Sequence, residues 1–73
     1  MTTTVTDDAT GVTIHTGASD TQPGAVNVAI YAPSRELVQQ AILDLMAEYP
    51  HVIFAEPVSI RPRRFGVLGR VWA

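Results

Sequence analysis

Residues 33–50 read Pro33-Ser34-Arg35-Glu36-Leu37-Val38-Gln39-Gln40-Ala41-Ile42-Leu43-Asp44-Leu45-Met46-Ala47-Glu48-Tyr49-Pro50. This is the one stretch with a helical period, and it decides the fold class. Leu37, Val38, Ala41, Ile42, Leu45 and Tyr49 recur at three- and four-residue spacing. At about 100° per residue they fill one stripe roughly 140° wide. The spacing predicts a helix from Arg35 to Glu48. Ser34 is a suitable N-cap, because its hydroxyl can accept from an orphan backbone N–H. Glu36 suits the positive end of the helix dipole. The capping box is incomplete, since Leu37 stands three after Ser34. Pro50 stops the helix. Leu43 falls on the polar side of the wheel and Met46 on its margin; a single exposed leucine is ordinary, so Leu43 is only a weak contact candidate.

Both flanks of the helix read as strands. Gly11 to Gly17 alternates apolar and polar between two glycines. Ala18 to Gly24 is a turn cluster ending in Pro23-Gly24. Ala25 to Tyr31 is a second strand, with Val26, Val28 and Ile30 on one side and Asn27, Ala29 and Tyr31 on the other. After the helix, His51 to Ala55 is a third strand. Pro57 interrupts it, so it is bent, bulged or at an edge, and Val58 to Arg61 continues it. Pro62 to Gly66 reads as a turn, and Val67 to Trp72 as a fourth strand weakened by Gly69. Residues 1–10, threonine-rich and acidic, form no face and read as a tail or arm. The expected fold is α+β in the order β-β-α-β-β: a single domain over residues 11–73, with a four-stranded antiparallel sheet and one helix on one face. The crossover through the helix favours the spatial order first, second, fourth, third. Val12, Ile14, Val26, Val28, Ile30, Val52, Phe54, Val67 and Val71 are expected to meet the helix.

A chain of 73 residues makes one small domain with a thin core. With 47% apolar and 16% charged residues, it is too apolar for a disordered chain. It has no cysteine, so disulfides and thiolate metal sites are excluded. No apolar run reaches the ~18–20 residues that span a bilayer, and no basic-then-apolar start marks a secretory signal. A cytoplasmic setting without membrane contact is expected.

The net charge of −2 hides a lopsided distribution. Residues 1–20 carry Asp7, Asp8 and Asp20 and no base; residues 57–73 carry Arg61, Arg63, Arg64 and Arg70 and no acid. There is no lysine. A GC-rich genome produces that bias by itself. A site reading phosphate or carboxylate with a planar fork would use it too.

One helix covers one face of a four-stranded sheet. Alternation sends Tyr31, Ala29, Ile53, Leu68, Arg70 and Trp72 to the other face, joined by His15 and by Arg61 at the rim. Such a patch suggests a partner surface. A register slip of one residue would reverse the assignment, and Pro57 and Gly69 are places where a slip could occur. Tyr31, Ile53, Leu68, Arg70 and Trp72 are the candidate partner-binding residues, since Trp, Tyr and Arg dominate interface hot spots. A bare face also suits a homo-oligomer. A symmetric pair of faces would cover Trp72, worth about 2–3 kcal/mol per chain by area, and Arg70 would then need a carboxylate neighbour, Glu56 being nearest in sequence. The alternative is nucleic acid. Aromatics on an open sheet stack bases, while Arg61, Arg63, Arg64 and Arg70 hold phosphates. The acidic overall balance and the shortness of the arginine cluster weigh against it; a solvated hairpin tip explains the cluster as well.

Chemistry finds little foothold. His15 and His51 could join Asp20 or Glu56 around a metal, but nothing in the spacing requires it, and lone strand histidines are usually structural. Ser19 and Ser59 have no evident base, and Ser34 is committed as a cap. Asp7 and Asp8 sit in a tail. Neither GxGxxG nor GxxxxGK[ST] occurs, and a chain this short encloses a pocket of several hundred Å³ with difficulty. No catalytic residue, cofactor or metal is expected, and the chain reads as a non-enzyme.

Tyr31-Ala32-Pro33-Ser34-Arg35, the helix closing in Glu48-Tyr49-Pro50, and the Pro62-Arg63-Arg64…Gly69-Arg70-Val71 end carry a resemblance over about residues 26–72. The chain loosely resembles small uncharacterised proteins of actinobacteria and their phages. The resemblance transfers no active site. It implies a phage or mobile-element setting, in the host cytoplasm or the virion, where short chains act by binding as particle components or as inhibitors of host proteins.

Overall fold

Ser34 leaves the preceding strand in extended backbone, and its hydroxyl accepts from the Leu37 N–H at 3.3 Å. That cap starts α1 at Arg35–Glu48, as the spacing predicts. Tyr49 ends it in extended backbone, its N–H still donating to the Leu45 carbonyl ahead of Pro50. The computed structural model describes residues 2–73. The remaining elements are the strands β1 (Thr2–Asp7), β2 (Val12–Ala18), β3 (Ala25–Ala32), β4 (His51–Phe54), β5 (Val58–Arg61) and β6 (Arg64–Trp72).

The fold is α+β, one helix against one antiparallel sheet. The strand order is β1-β2-β3-β6-β4, and β5 pairs with β6 beyond the end of β4. The expected order of the four principal strands appears in it unchanged as β2-β3-β6-β4. Two parts of the expectation need correction. The sheet has six strands, because the segment read as a tail or arm contains β1, paired along its length with β2 from Thr2↔Gly17 to Asp7↔Val12. The long third strand is broken in two: β4 and β5 are separate strands divided by Ala55–Pro57, and the β5–β6 pairing carries its own register shift between Ser59 and Arg61.

The turn before the last strand is also shorter than residues 62–66. Only Pro62 and Arg63 remain outside strands, with Arg63 in the left-handed region at φ 62°. β6 therefore begins at Arg64, and Phe65 joins the core margin.

The core lies between α1 and the inner sheet face. Val28, Ile30, Ala32, Val38, Ala41, Val67 and Val71 are buried there. Val12, Ile14, Val26, Leu37, Ile42, Leu45, Tyr49, Val52 and Phe54 pack around them. Every strand residue expected to meet the helix is buried in this core or packed against it. Gly69 has a steric role in this layer: a Cβ there would collide with the Phe54 ring and lie 2.5 Å from the Ile53 carbonyl oxygen. The missing side chain lets Phe54 cross β6 toward the helix.

Candidate functional site

The register decides which side chains the helix leaves uncovered. Because Val71 and Val67 are buried against α1, their neighbours Trp72, Arg70 and Leu68 project from the opposite face. Pairing places them in rows with other strands: Ala25, Trp72 and His51; Asn27, Arg70 and Ile53; His15, Ala29 and Leu68. All five candidate partner-binding residues, Tyr31, Ile53, Leu68, Arg70 and Trp72, stand on this one open face.

Its apolar members are not covered. Leu68 is 66% exposed and Ile53 62%, placed diagonally across the β6–β4 pairing, where Ile53 is opposite Arg70. Val58 and Ile60 extend the patch along β5. Gly66 makes room for Ile60 and Tyr31, because a Cβ at Gly66 would lie 2.8 Å from the Ile60 side chain and 3.0 Å from the Tyr31 ring. Tyr31, Val58, Ile60, Gly66 and Leu68 line a groove of about 290 Å³ with Glu56 at its margin. Val58 and Ile60 are contributors the sequence reading missed; their alternation with Ser59 in a strand opposite a glycine was the available signal.

The polar and aromatic members are held in fixed pairs. The His51 ring stacks on Trp72 with centroids 5.4 Å apart and planes 16° from parallel. Thr4 and His15 are hydrogen-bonded at 2.8 Å, His15 meets the edge of Tyr31 at 5.7 Å, and the Arg64 guanidinium lies 5.0 Å over the other end of that row on Tyr31. Arg70 donates from Nε to Asn27 Oδ1 at 3.2 Å and from Nη1 to Gln22 Oε1 at 3.1 Å. Those two neutral oxygens are its partners within the chain.

The arginines do not form one cluster. Arg61 and Arg63 are exposed at the β5–β6 hairpin, Arg64 is half-buried over Tyr31, and Arg70 lies several residues along β6 from them. His15 on β2 and His51 on β4 are separated by β3 and β6, about 14 Å across the sheet at the usual strand spacing, and by four further residues along it. Among the described residues no three His, Cys, Asp or Glu side chains come together to hold a metal ion. No described helix is long and apolar enough to cross a membrane.

No protein-family model, curated protein or solved structure matches this chain.

Proposed function

We propose that this chain is a non-enzymatic binding or assembly module that docks protein through its open sheet face. The observation that carries the reading is the uncovered seam of Leu68 and Ile53, extended by Val58 and Ile60 and bordered by Tyr31, Trp72 and Arg70. Exposed apolar side chains in a continuous patch mark interaction surfaces. Aromatic and arginine residues held in place at their border lose little freedom when a partner arrives. A phage or other mobile element is the proposed setting, with the host cytoplasm or the virion as its place of action.

Nucleic acid is the second reading, favoured by the exposed Arg61 and Arg63 at the hairpin with Arg64 and Arg70 along β6. Against it, the chain as a whole carries a net charge of −2, and the arginines are divided between the hairpin and the far part of β6.

The deciding measurement is the mass in solution, alone, with cellular protein and with single-stranded and duplex oligonucleotides. Protein docking expects association that Trp72→Ala and Leu68→Arg weaken, with little dependence on salt. Oligonucleotide binding that falls steeply with salt and disappears in an Arg63→Glu/Arg64→Glu variant would overturn it.

A further inference from the structure

Resting on the docking reading of the open face, we infer that its occupant is the outer side of α1 from a second copy of this chain, so that copies join head to tail. Charge is the first argument. Among the described residues the strands place no carboxylate on the open face, which carries Arg64 and Arg70, while Glu56 borders it from the link between β4 and β5. The outer side of α1 carries exposed Glu36, Asp44 and Glu48 against the single base Arg35, and its last turn has no basic residue. The two outer surfaces of one molecule therefore have opposite sign. Arg70 spends only Nε and Nη1 on its two neutral partners. A guanidinium has five N–H groups, so donors remain for an incoming carboxylate.

The apolar residues match as well. Leu43 is 56% exposed and Met46 55%, one turn apart on the solvent side of α1, with Asp44 on the flank of the helix that faces β1 and β2. They are the helix counterpart of Leu68 and Ile53 beside Arg70. Each surface has an apolar centre with charges at its border, and the borders are complementary.

Layering and symmetry favour the same arrangement. A helix of 14 residues is about 21 Å long, within the ~30 Å that the nine residues of β6 span. Its own α1 covers the inner sheet face and the neighbour's α1 would cover the outer one, completing a three-layer arrangement. A two-fold pairing of sheet on sheet would instead bring Arg64 and Arg70 of both copies together, four arginines against the two Glu56 carboxylates at the border, and like charges brought together oppose association. Because the two joined surfaces differ, each contact leaves one of each kind unused. Association then continues into a ring or a filament.

Sedimentation velocity across a hundredfold range of concentration tests this, using the parent, Leu43→Arg and Leu68→Arg. Both substitutions are at exposed positions, and unchanged melting curves establish that the variants are folded. The parent mass is expected to rise with concentration beyond two chains. Each variant alone should associate at least tenfold more weakly. An equimolar mixture should form a species of two chains and stop there, since one intact helix side meets one intact sheet face. A two-fold dimer that survives Leu43→Arg, or a mixture that does not associate, overturns the head-to-tail contact. A parent that stays monomeric throughout also overturns it; if Leu68→Arg then abolishes a complex with another protein, the docking reading stands without the self-contact, and if no complex depends on Leu68 both fail.

Discussion

Arg70 reaches across the β3–β6 pairing to Asn27, the residue directly opposite it, and holds that amide oxygen from Nε at 3.2 Å. With Gln22 taking a second donor, the guanidinium is tied down on the open face by uncharged groups, and its positive charge is left uncancelled by them. Replacing Asn27 with Asp puts a carboxylate in the same place. The pair is exposed, so its gain in stability should be small, about 0.2–1 kcal/mol, read as a slight rise in the denaturation midpoint. The larger expected effect is on docking: Asn27→Asp should weaken association with an acidic partner surface, while a neutral Asn27→Ser should not. Equal behaviour of the two variants would mean that the charge of Arg70 is irrelevant to the face.

Ile30 is fully buried between α1 and the two central strands. Ile30→Ala should cost about 2–5 kcal/mol, and Ile30→Val about 0.5–1.5 kcal/mol. A small domain has only ~5 kcal/mol in total. Chemical denaturation should therefore find the alanine variant substantially unfolded and the valine variant folded with a lowered midpoint. Leu45, which is half-buried at the margin of the same cluster, should tolerate alanine better than Ile30 does.

Gly69→Ala should destabilise by more than the loss of a contact would suggest. The added methyl meets the Phe54 ring and, at 2.5 Å, the Ile53 carbonyl oxygen. Shortening Phe54 to Ala relieves only the first collision, because the second is with backbone. The double variant Gly69→Ala/Phe54→Ala is expected to remain less stable than Phe54→Ala alone. A double-variant melting curve equal to that of Phe54→Ala would show that β4 can shift away from β6 freely.

Ser34→Ala removes the acceptor for the Leu37 N–H and should cost about 1 kcal/mol. Ser34→Asp should retain most of the capping interaction. Thermal melts of the two variants, compared with the parent, separate the cap from side-chain volume.

The helix, the order of the four main strands and all nine inward strand residues were legible because alternation and helical period both point toward one core. Tyr31, Ile53, Leu68, Arg70 and Trp72 were legible for the same reason, as the residues left over. β1 was not, since a strand at the sheet edge has little apolar demand: its one valine, Val5, is 61% exposed, and threonines occupy both faces. Phe65 was lost to the turn because Pro62, Arg63 and Gly66 surround it with turn-forming types; the actual turn needs only Pro62 and Arg63, the latter taking the positive φ usually given to glycine. The partners of Arg70 were hidden for another reason. Gln22 and Asn27 are 48 and 43 residues away in sequence, and only the β3–β6 register brings them together.

That register also governs how quickly the molecule can form. The pairing of β3 with β6 joins residues between 33 apart, Ala32 with Phe65, and 47 apart, Ala25 with Trp72. β1, β2 and β3 can meet through short turns, but the middle of the sheet waits for β6, which also supplies the pairing edge for β4 and β5. Loop closure over such separations precedes any reward from contact, and domains dominated by non-local pairing reach the native state in milliseconds to seconds, where local helical bundles take microseconds to milliseconds. Until β6 arrives, β3 has an unpaired edge and no strand beside Ile30 on that side. The search of the last strand for the third is therefore the expected slow step of refolding.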